Sequence, residues 1–153
     1  MFIGTTVDTI FGVTSNGAFK NLYTFNGNTQ GGFPLGQLYP ASNGALYGQN
    51  DSGNGSYTGS LFAVTTGGSF GLLQSDSYLA SPLTEASDGH LYGVEGDPTT
   101  GNFDVFRMSR STGAITSVYS LGPNAQSFGP LFQASDGNLY GMTLAPARAP
   151  FSN

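Results

Sequence analysis

The sequence predicts an all-β fold made of β-propeller-type blades, each with four antiparallel strands. Its 153 residues include 24 Gly and 13% aromatic residues but only 8% charged residues, which favours short strands and tight turns over helices. A four-strand pattern recurs at Gly4, Gly48, Gly93 and Gly141, with spacings of 44, 45 and 48 residues. Blade repeats have periods of roughly 40–50 residues, and the glycine content and tight hairpins argue against helical repeats of similar length.

The first two strands of the repeat share a hairpin motif. The pattern Leu-x-x-Ala-Ser-(Asp/Asn)-Gly-x-Leu-Tyr-Gly lies within residues 36–48, 81–93 and 129–141, and residues 2–5 match its ending. We name the Leu-x-x-Ala-Ser run strand a and the Leu-Tyr-Gly run strand b. The Asx-Gly pair between them predicts a tight turn, because both central residues of a type I′ turn take positive φ.

Strands c and d follow in the same phase of the repeat. Strand c is an apolar run at residues 10–14, 61–65 and 105–109. A Gly-containing turn comes next, and the apolar or aromatic strand d then occupies residues 19–25, 70–74 and 115–121. Each period therefore holds four short runs that favour β structure.

We predict a single repeat domain over residues 1–143, followed by a Pro- and Ala-containing tail at 144–153. The repeats fall at about 1–33, 34–79, 80–128 and, in part, 129–143. About three blades result, whereas propellers typically close with four to eight, and open blades leave strand edges exposed. We expect a homo-oligomer in which strand a of one copy completes strands b, c and d of the next, with six blades in a dimer. A filament and a fragment of a longer protein are the alternatives.

The motifs resemble those of a known bacterial repeat family. Residues 134–141, Ala-Ser-Asp-Gly-Asn-Leu-Tyr-Gly, are similar to the Gln-Ala-Ser-Asp-Gly-Asn-Phe-Tyr-Gly-Thr core of the GloVer (Gloeo/Verruco) tandem repeat. Residues 61–68 resemble its Val-Phe-Lys-Leu-Thr-x-x-Gly half, and residues 22–25 resemble its Thr-Leu-Tyr-Ser-Phe run. The resemblance implies propeller-like β structure in secreted or surface-anchored bacterial proteins, and it implies no catalytic or binding residue.

Charge and composition exclude several partners. The net charge is −5, and the four basic residues form no cluster, so we exclude nucleic acid, which needs several phosphate-neutralising cations on one face. No apolar run approaches the roughly 20 residues of a transmembrane helix, so we predict no membrane insertion, and the first ten residues show no signal-peptide pattern. The absence of cysteine excludes disulfides and thiolate metal sites, and we predict no cofactor.

Two polar inserts between strands b and c are the candidate ligand-binding sites, because loops on a rigid scaffold often carry binding residues. The candidates, whose oxygen and aromatic groups suit carbohydrate hydroxyls, are Asp51, Asn54 and Tyr57 in one insert and Asp97, Asn102 and Asp104 in the other. Calcium also prefers such hard oxygen ligands, but neither insert has EF-hand spacing.

The recurring residues of the a–b hairpin are interpreted as structural. The Asx-Gly pairs are turn residues: Asn43 with Gly44, Asp88 with Gly89, and Asp136 with Gly137. Tyr47, Tyr92 and Tyr140 fit packing between blades, with stacking on sugars as the alternative. His90 is the only histidine; it is a candidate ligand residue, although a solvated turn position also accounts for it.

We therefore predict a non-catalytic, lectin-like binding module, extracellular or at the cell surface, with a glycan or protein ligand. A structural, filament-forming surface protein is the first alternative. A propeller-scaffold hydrolase or lyase using His90 or Glu85 is the second, although Glu85 and Asp88 lie too close to one turn for a paired-carboxylate glycosidase, and His90 has no evident nucleophile beside it.

Overall fold

The computed structural model describes residues 1–26, 34–50, 59–97, 99–123, 125–127 and 129–144. These residues contain only strands and connecting segments, and among them there is no helix of the length and apolarity that crossing a membrane requires. The strands, in chain order, are β1 Phe2–Thr5, β2 Thr9–Val13, β3 Phe19–Thr24, β4 Pro34–Pro40, β5 Ala45–Asn50, β6 Gly59–Thr65, β7 Phe70–Ser77, β8 Thr84–Glu85, β9 Leu91–Gly96, β10 Asn102–Met108, β11 Ile115–Pro123, β12 Gln126–Ser127, β13 Phe132–Gln133, β14 Leu139–Tyr140 and β15 Thr143–Leu144.

The strands belong to two compact units. The first comprises Met1–Leu79 with Ser111–Ala114, and the second comprises Ala80–Arg110 with the described residues from Ile115 onward. The first unit holds sheets β1-β2-β3 and β4-β5-β6-β7. The second holds sheet β8-β9-β10-β11 and the pairs β13–β14 and β12–β15. Strand neighbours are antiparallel, so the prediction of an all-β, antiparallel fold is confirmed.

The two four-stranded sheets follow the a-b-c-d order expected from the repeat. Each is a meander, because strands that are consecutive in the chain are neighbours in the sheet. Strand a of the second sheet is shorter than the sequence predicts, since its ladder with β9 covers Thr84–Glu85, although the Ala80 N–H also donates to the Val94 carbonyl at 2.7 Å. Pro82 just before it has no N–H to donate to a ladder. Strand d of the first sheet is longer than predicted and reaches Ser77.

The glycine of strand b leaves space for a phenylalanine on strand c. Gly4, Gly48 and Gly93 are the cross-strand partners of Phe11, Phe62 and Phe106. A Cβ built at Gly48 would lie 2.6 Å from Cζ of Phe62, well inside the roughly 3.5–4.0 Å of a favourable carbon contact. The Leu-Tyr-Gly motif therefore needs glycine for side-chain packing between neighbouring strands and not for a turn.

The core of the first unit lies between its two sheets. The buried cluster joins β2 and β3 to β5 and β6, and its members are Ile10, Leu22, Phe25, Leu46, Phe62 and Val64. Tyr23 of β3 stacks on Phe70 of β7 with ring centroids 4.0 Å apart. These aromatic contacts explain why strand d carries the Tyr-x-Phe ending in the first repeat.

The core of the second unit is built from the third repeat and the C-terminal hairpin. Leu91, Phe106 and Met108 are fully buried there. Side-chain bonds tie the hairpin β13–β14 to the preceding one. The Ser87 N–H donates to Oε1 of Gln133 at 2.8 Å, Nε2 of Gln133 lies 3.1 Å from Oγ of Ser87, and the Thr84 hydroxyl donates to the Leu131 carbonyl oxygen. Neighbouring repeats in this unit are therefore joined through the a–b turn.

Candidate functional site

The three Asx-Gly pairs lie in tight turns of one geometry, but the prediction that they form the centre of a type I′ turn is wrong. The N–H groups of Gly44, Gly89 and Gly137 donate to the carbonyl oxygens of Ala41, Ala86 and Ala134, so the Ser-Asx pair is central and the glycine follows it. Gly44, Gly89 and Gly137 have φ of 80°, 80° and 84°, in the left-handed region that disfavours side chains. In each turn, the N–H two residues after the Asx side chain donates to its Oδ1, at 3.1 Å for Asn43, 3.0 Å for Asp88 and 2.9 Å for Asp136. These carboxylates and this amide therefore close their own turns.

The tyrosine of strand b completes each turn with its hydroxyl. Tyr92 donates to Oδ2 of Asp88 at 2.8 Å, and Tyr140 donates to Oδ2 of Asp136 at 2.7 Å. In the first copy the donor is reversed, since Nδ2 of Asn43 donates to the Tyr47 hydroxyl at 2.9 Å. The tyrosines are not equally buried, since Tyr47 is 2% exposed and Tyr140 is 53% exposed. A packing role therefore suits Tyr47 better than Tyr140.

These hydrogen bonds change the acidity of the turn carboxylates. Partial burial acts to raise the pKa of Asp88, but the bonds from the His90 N–H and the Tyr92 hydroxyl and the nearby imidazole outweigh it, and the pKa lies below its ordinary value. The pKa of Asp136 is also lowered, by the Tyr140 hydroxyl and the Asn138 N–H. Both groups are therefore stabilised carboxylates and poor general acids.

His90 lies in the second of these turns. Its Nδ1 is 3.3 Å from Oδ2 of Asp88, and its side chain is 36% exposed. β9 begins just after His90 and ends just before Asp97, and a six-residue strand spans about 20 Å. Asp97, Asn102 and Asp104 therefore lie at the opposite end of the β9–β10 hairpin, so the structure separates His90 from the other described candidates.

An ion pair between Arg110 and Glu85 lies beside the same turn. Arg110 donates from Nε to the carbonyl oxygen of Gly89 and from Nη1 to Oε1 of Glu85, and both members of the ion pair are largely buried. The guanidinium thus joins strand a, the a–b turn and the end of strand c. This arrangement explains Glu85 as a structural residue, because the Arg110 guanidinium holds one of the carboxylate oxygens that a catalytic acid would need.

The end of the β9–β10 hairpin gathers three predicted ligand residues and one that was not predicted. The Asp97 N–H donates to the Asn102 carbonyl at 2.8 Å, and Asp104 lies directly opposite Glu95 in the ladder. Oδ2 of Asp104 accepts a hydrogen bond from the Ser117 hydroxyl at 3.0 Å. Directly opposite residues have Cβ atoms roughly 4.5–5.5 Å apart, so two carboxyl groups share one face of the sheet.

The electrostatics differ within this group. The Thr100 hydroxyl and the Thr99 N–H hold the pKa of Asp97 below its ordinary value, because Asp97 closes its own turn. Burial, with repulsion from Asp104, raises the pKa of Glu95. A half-buried acid with a raised pKa beside a second carboxylate is a common feature of functional sites, and it makes Glu95 and Asp104 the candidate polar site.

The sequence did not indicate this pairing, because it depends on the cross-strand register. The residue numbers hold a usable clue, since Glu95 and Asp104 are equally spaced from the hairpin tip at residues 99 and 100. Asp51, Asn54 and Tyr57 lie outside the described residues. Within the described ranges, no group of three or more His, Cys, Asp or Glu residues is arranged to hold a metal ion.

A second candidate site is an apolar groove in the first unit. It has a volume of about 530 Å³. It lies between the outer edge of β1 and strands β4 and β5, and its lining residues are Met1, Phe2, Ile3, Gly4, Thr5, Gln37, Leu38, Pro40 and Leu46. β1 is the edge strand of its sheet, so the groove adjoins an unpaired strand edge.

Comparison with known proteins supports the fold class only. No family model and no curated protein matches the chain. A solved structure of a luciferin-regenerating enzyme is similar, with a TM-score of 0.62 and 16% sequence identity over 88% of this chain. The match covers 48% of that enzyme's chain, so the present chain spans about half its length.

Proposed function

We propose that the chain is about half of a homo-oligomeric β-propeller-type binding module, in which two copies supply six blades. One observation carries the proposal: the two ends of the chain hold complementary parts of one blade. Among the described residues, sheet β1-β2-β3 corresponds to strands b, c and d, and hairpin β13–β14 corresponds to strands a and b. Oligomers of closed symmetry are the common way to satisfy such surfaces.

The exposure of apolar side chains at both ends supports this proposal. Phe2 is 73% exposed at the N-terminal sheet, and Phe132 is 69% exposed at the C-terminal hairpin. Tyr140 and Met142 on the same hairpin are also exposed. Exposed apolar clusters on strand edges favour association with another chain. The similarity to about half of a longer chain is also what a half-ring predicts.

The proposed ligand is a glycan or a protein. Hairpin loops at one end of a rigid sheet are suited to binding, and the β9–β10 hairpin places Asp97, Asn102, Asp104 and Glu95 together. The resemblance to the GloVer repeat adds an extracellular or cell-surface location to the proposal. Asp97 accepts hydrogen bonds from the Thr99 N–H and the Thr100 hydroxyl within its own turn, so its part in the proposal is to shape the loop.

The test is the native mass of the full chain, measured by light scattering on a sizing column across a range of concentrations. We expect one species at twice the chain mass of 15.8 kDa. A monomer at every concentration would overturn the oligomeric module. A glycan array and a protein pull-down with the assembled dimer then test binding, with Asn102→Ala and Asp104→Ala as the variants. Empty results from both assays would refute the binding role.

A hydrolase or lyase is the second candidate function, and the Glu95–Asp104 pair is the observation that favours it. Burial raises the pKa of Glu95, which suits a general acid, and Asp104 opposite it offers a second carboxyl group. The similar solved structure is also named as an enzyme. If this function is correct, Glu95→Gln abolishes turnover of a sugar or ester substrate while the folded state persists, and an absence of turnover by the wild-type dimer across such panels refutes it.

A further inference from the structure

Three internal copies show what normally covers the glycine of strand b. In each copy, a leucine of strand a reaches the position that a Cβ would occupy on that glycine, at 2.7, 3.2 and 2.6 Å from Cδ2. The pairs, in that order, are Gly48 with Leu38, Gly93 with Leu83, and Gly141 with Leu131. At the equivalent Gly4, the three nearest atoms all belong to Phe11 of strand c. In the N-terminal sheet, a leucine is therefore not among the three atoms closest to the Cβ position of this glycine.

The groove lies beside β1, the strand that carries Gly4. Gly4 lines it together with Ile3 and Phe2, and none of its lining side chains is charged. The groove is continuous with the existing contact between β1 and β4, so a strand placed in it would extend packing that the first unit already has. The side chains around the groove carry no charge, so a strand without charged side chains adds no buried side-chain charge there.

We propose that this groove binds strand β13 and Leu131 of a second copy of the chain, with Leu131 seated on Gly4. The proposal rests on the homo-oligomer proposed above and names its contact. Residues 129–133 read Gly-Pro-Leu-Phe-Gln and carry no charge, which matches the groove. Phe132 and Gln133 pair with Tyr140 and Leu139 in their own hairpin. Ile3 and Phe2 are the equivalents of those partners in β1, so the expected pairs are Phe132 with Ile3 and Gln133 with Phe2.

Strand b is present at both ends of the chain, as β1 and as β14. Where two chains meet, only one of these two strands can pair with β13, so the other must be displaced. β1 has four ladder partners in β2, and Gly4 is covered by Phe11. β14 has two ladder partners in β13, and β15 directly after it has two in β12, so this strand is held by two short ladders. Among the described residues, only Leu131 lies within 4 Å of the Cβ position of Gly141. β14 is therefore the strand that is more easily released, and β1 of the second copy takes its place. Exchange of one identical element between copies is a low-cost route to a dimer.

Disulfide trapping tests this contact directly, because the chain has no cysteine of its own. One chain carries Ile3→Cys, another carries Phe132→Cys, and the two are refolded together under mild oxidation. Directly opposite residues in an antiparallel ladder have Cα atoms about 4.5–5.5 Å apart, within disulfide range. We expect mixed disulfide dimers at least about tenfold in excess of those from Val7→Cys with Phe132→Cys. Equal yields would overturn the contact.

A charge placed in the groove gives an independent measurement. Phe2→Lys and the control Val7→Lys both alter exposed residues, and only Phe2 lines the groove. We expect Phe2→Lys to weaken dimerisation by about tenfold or more, because the ammonium loses water when the groove is filled, while Val7→Lys dimerises as the wild type does. Thermal unfolding of both variants verifies that they fold.

The outcomes separate this inference from the proposed function. A wild-type dimer that gives no mixed disulfide and tolerates Phe2→Lys overturns the Leu131–Gly4 contact and leaves the oligomeric module standing. A wild-type monomer overturns both. The double variant Ile3→Cys/Phe132→Cys tests whether the contact forms within one chain. If its disulfide forms at monomeric mass, the groove is filled by β13 of the same chain, and the proposal of a second copy is overturned. Mixed disulfides together with loss of the dimer in Phe2→Lys support the contact.

Discussion

Replacement of Gly48 by alanine tests the packing that defines the repeat. The added Cβ would lie 2.6 Å from Cζ of Phe62 and 2.7 Å from Cδ2 of Leu38. Carbon atoms pack at about 3.5–4.0 Å, so each of these two atoms must move about 1 Å away from the new methyl group. Phe62 is fully buried, and its ring cannot turn into solvent.

The expected magnitude follows from two opposing effects. Overpacking of a filled core destabilises by about 1–3 kcal/mol. The loss of glycine's freedom in the unfolded chain offsets about 0.4–1 kcal/mol of this. We therefore expect Gly48→Ala to lower the free energy of unfolding by about 1–2 kcal/mol, which corresponds to a fall in Tm of about 2–8 °C for a chain of this size.

The assay is urea unfolding followed by tyrosine fluorescence, since the chain has eight tyrosines and no tryptophan. Gly71→Ala is the matched control, because Gly71 also lies in a strand and nothing occupies its Cβ position within 4 Å. Protein concentration is held constant, because association changes apparent stability. The control is expected to unfold at or slightly above the wild-type midpoint.

The double variant Gly48→Ala/Phe62→Leu isolates the contact. If the ring is what the new methyl meets, the two substitutions couple, and the double variant is more stable than the sum of the single effects by over about 0.5 kcal/mol. Additive effects, or a Gly48→Ala protein as stable as the wild type, would refute the packing explanation for the Leu-Tyr-Gly motif.

Three further substitutions test the electrostatic contacts. Asp88→Ala should lower the free energy of unfolding by about 0.5–1.5 kcal/mol at pH 7 through loss of the Tyr92 bond. Because the pKa of Asp88 is lowered on folding, this difference should be present above about pH 4 and shrink as urea unfolding is repeated at lower pH. Glu95→Gln should stabilise by up to about 1 kcal/mol at pH 7, since it removes repulsion across from Asp104. The raised pKa of Glu95 predicts that this gain disappears below about pH 4, where the wild-type acid is protonated in both states. Arg110→Met should destabilise by about 1.5–3 kcal/mol in the same assay, because a charged hydrogen bond to a largely buried carboxylate is lost.

The sequence by itself determined the all-β class and the positions of the a–b turns. Both depend on local chemistry: an Asx-Gly pair closes its own turn through the Asx oxygen and a glycine at positive φ, as Asp88 with Gly89 and Asp136 with Gly137 do. The alternation of short apolar runs with such turns was enough to place most strands. The short strand a at Thr84–Glu85 and the long strand d that reaches Ser77 were not foreseen, because pairing partners set the lengths.

Only the tertiary structure decided what the repeated residues contact. The same motif buries Tyr47 and leaves Tyr140 half-exposed, since burial depends on which strands lie beside the motif and not on the motif itself. Glu95 lies opposite Asp104 because of the ladder register, and Gly4 lines an open groove beside β1, which is the edge strand of its sheet among the described residues. These are contacts between distant residues, and a local pattern carries no information about which neighbour occupies the space beside it.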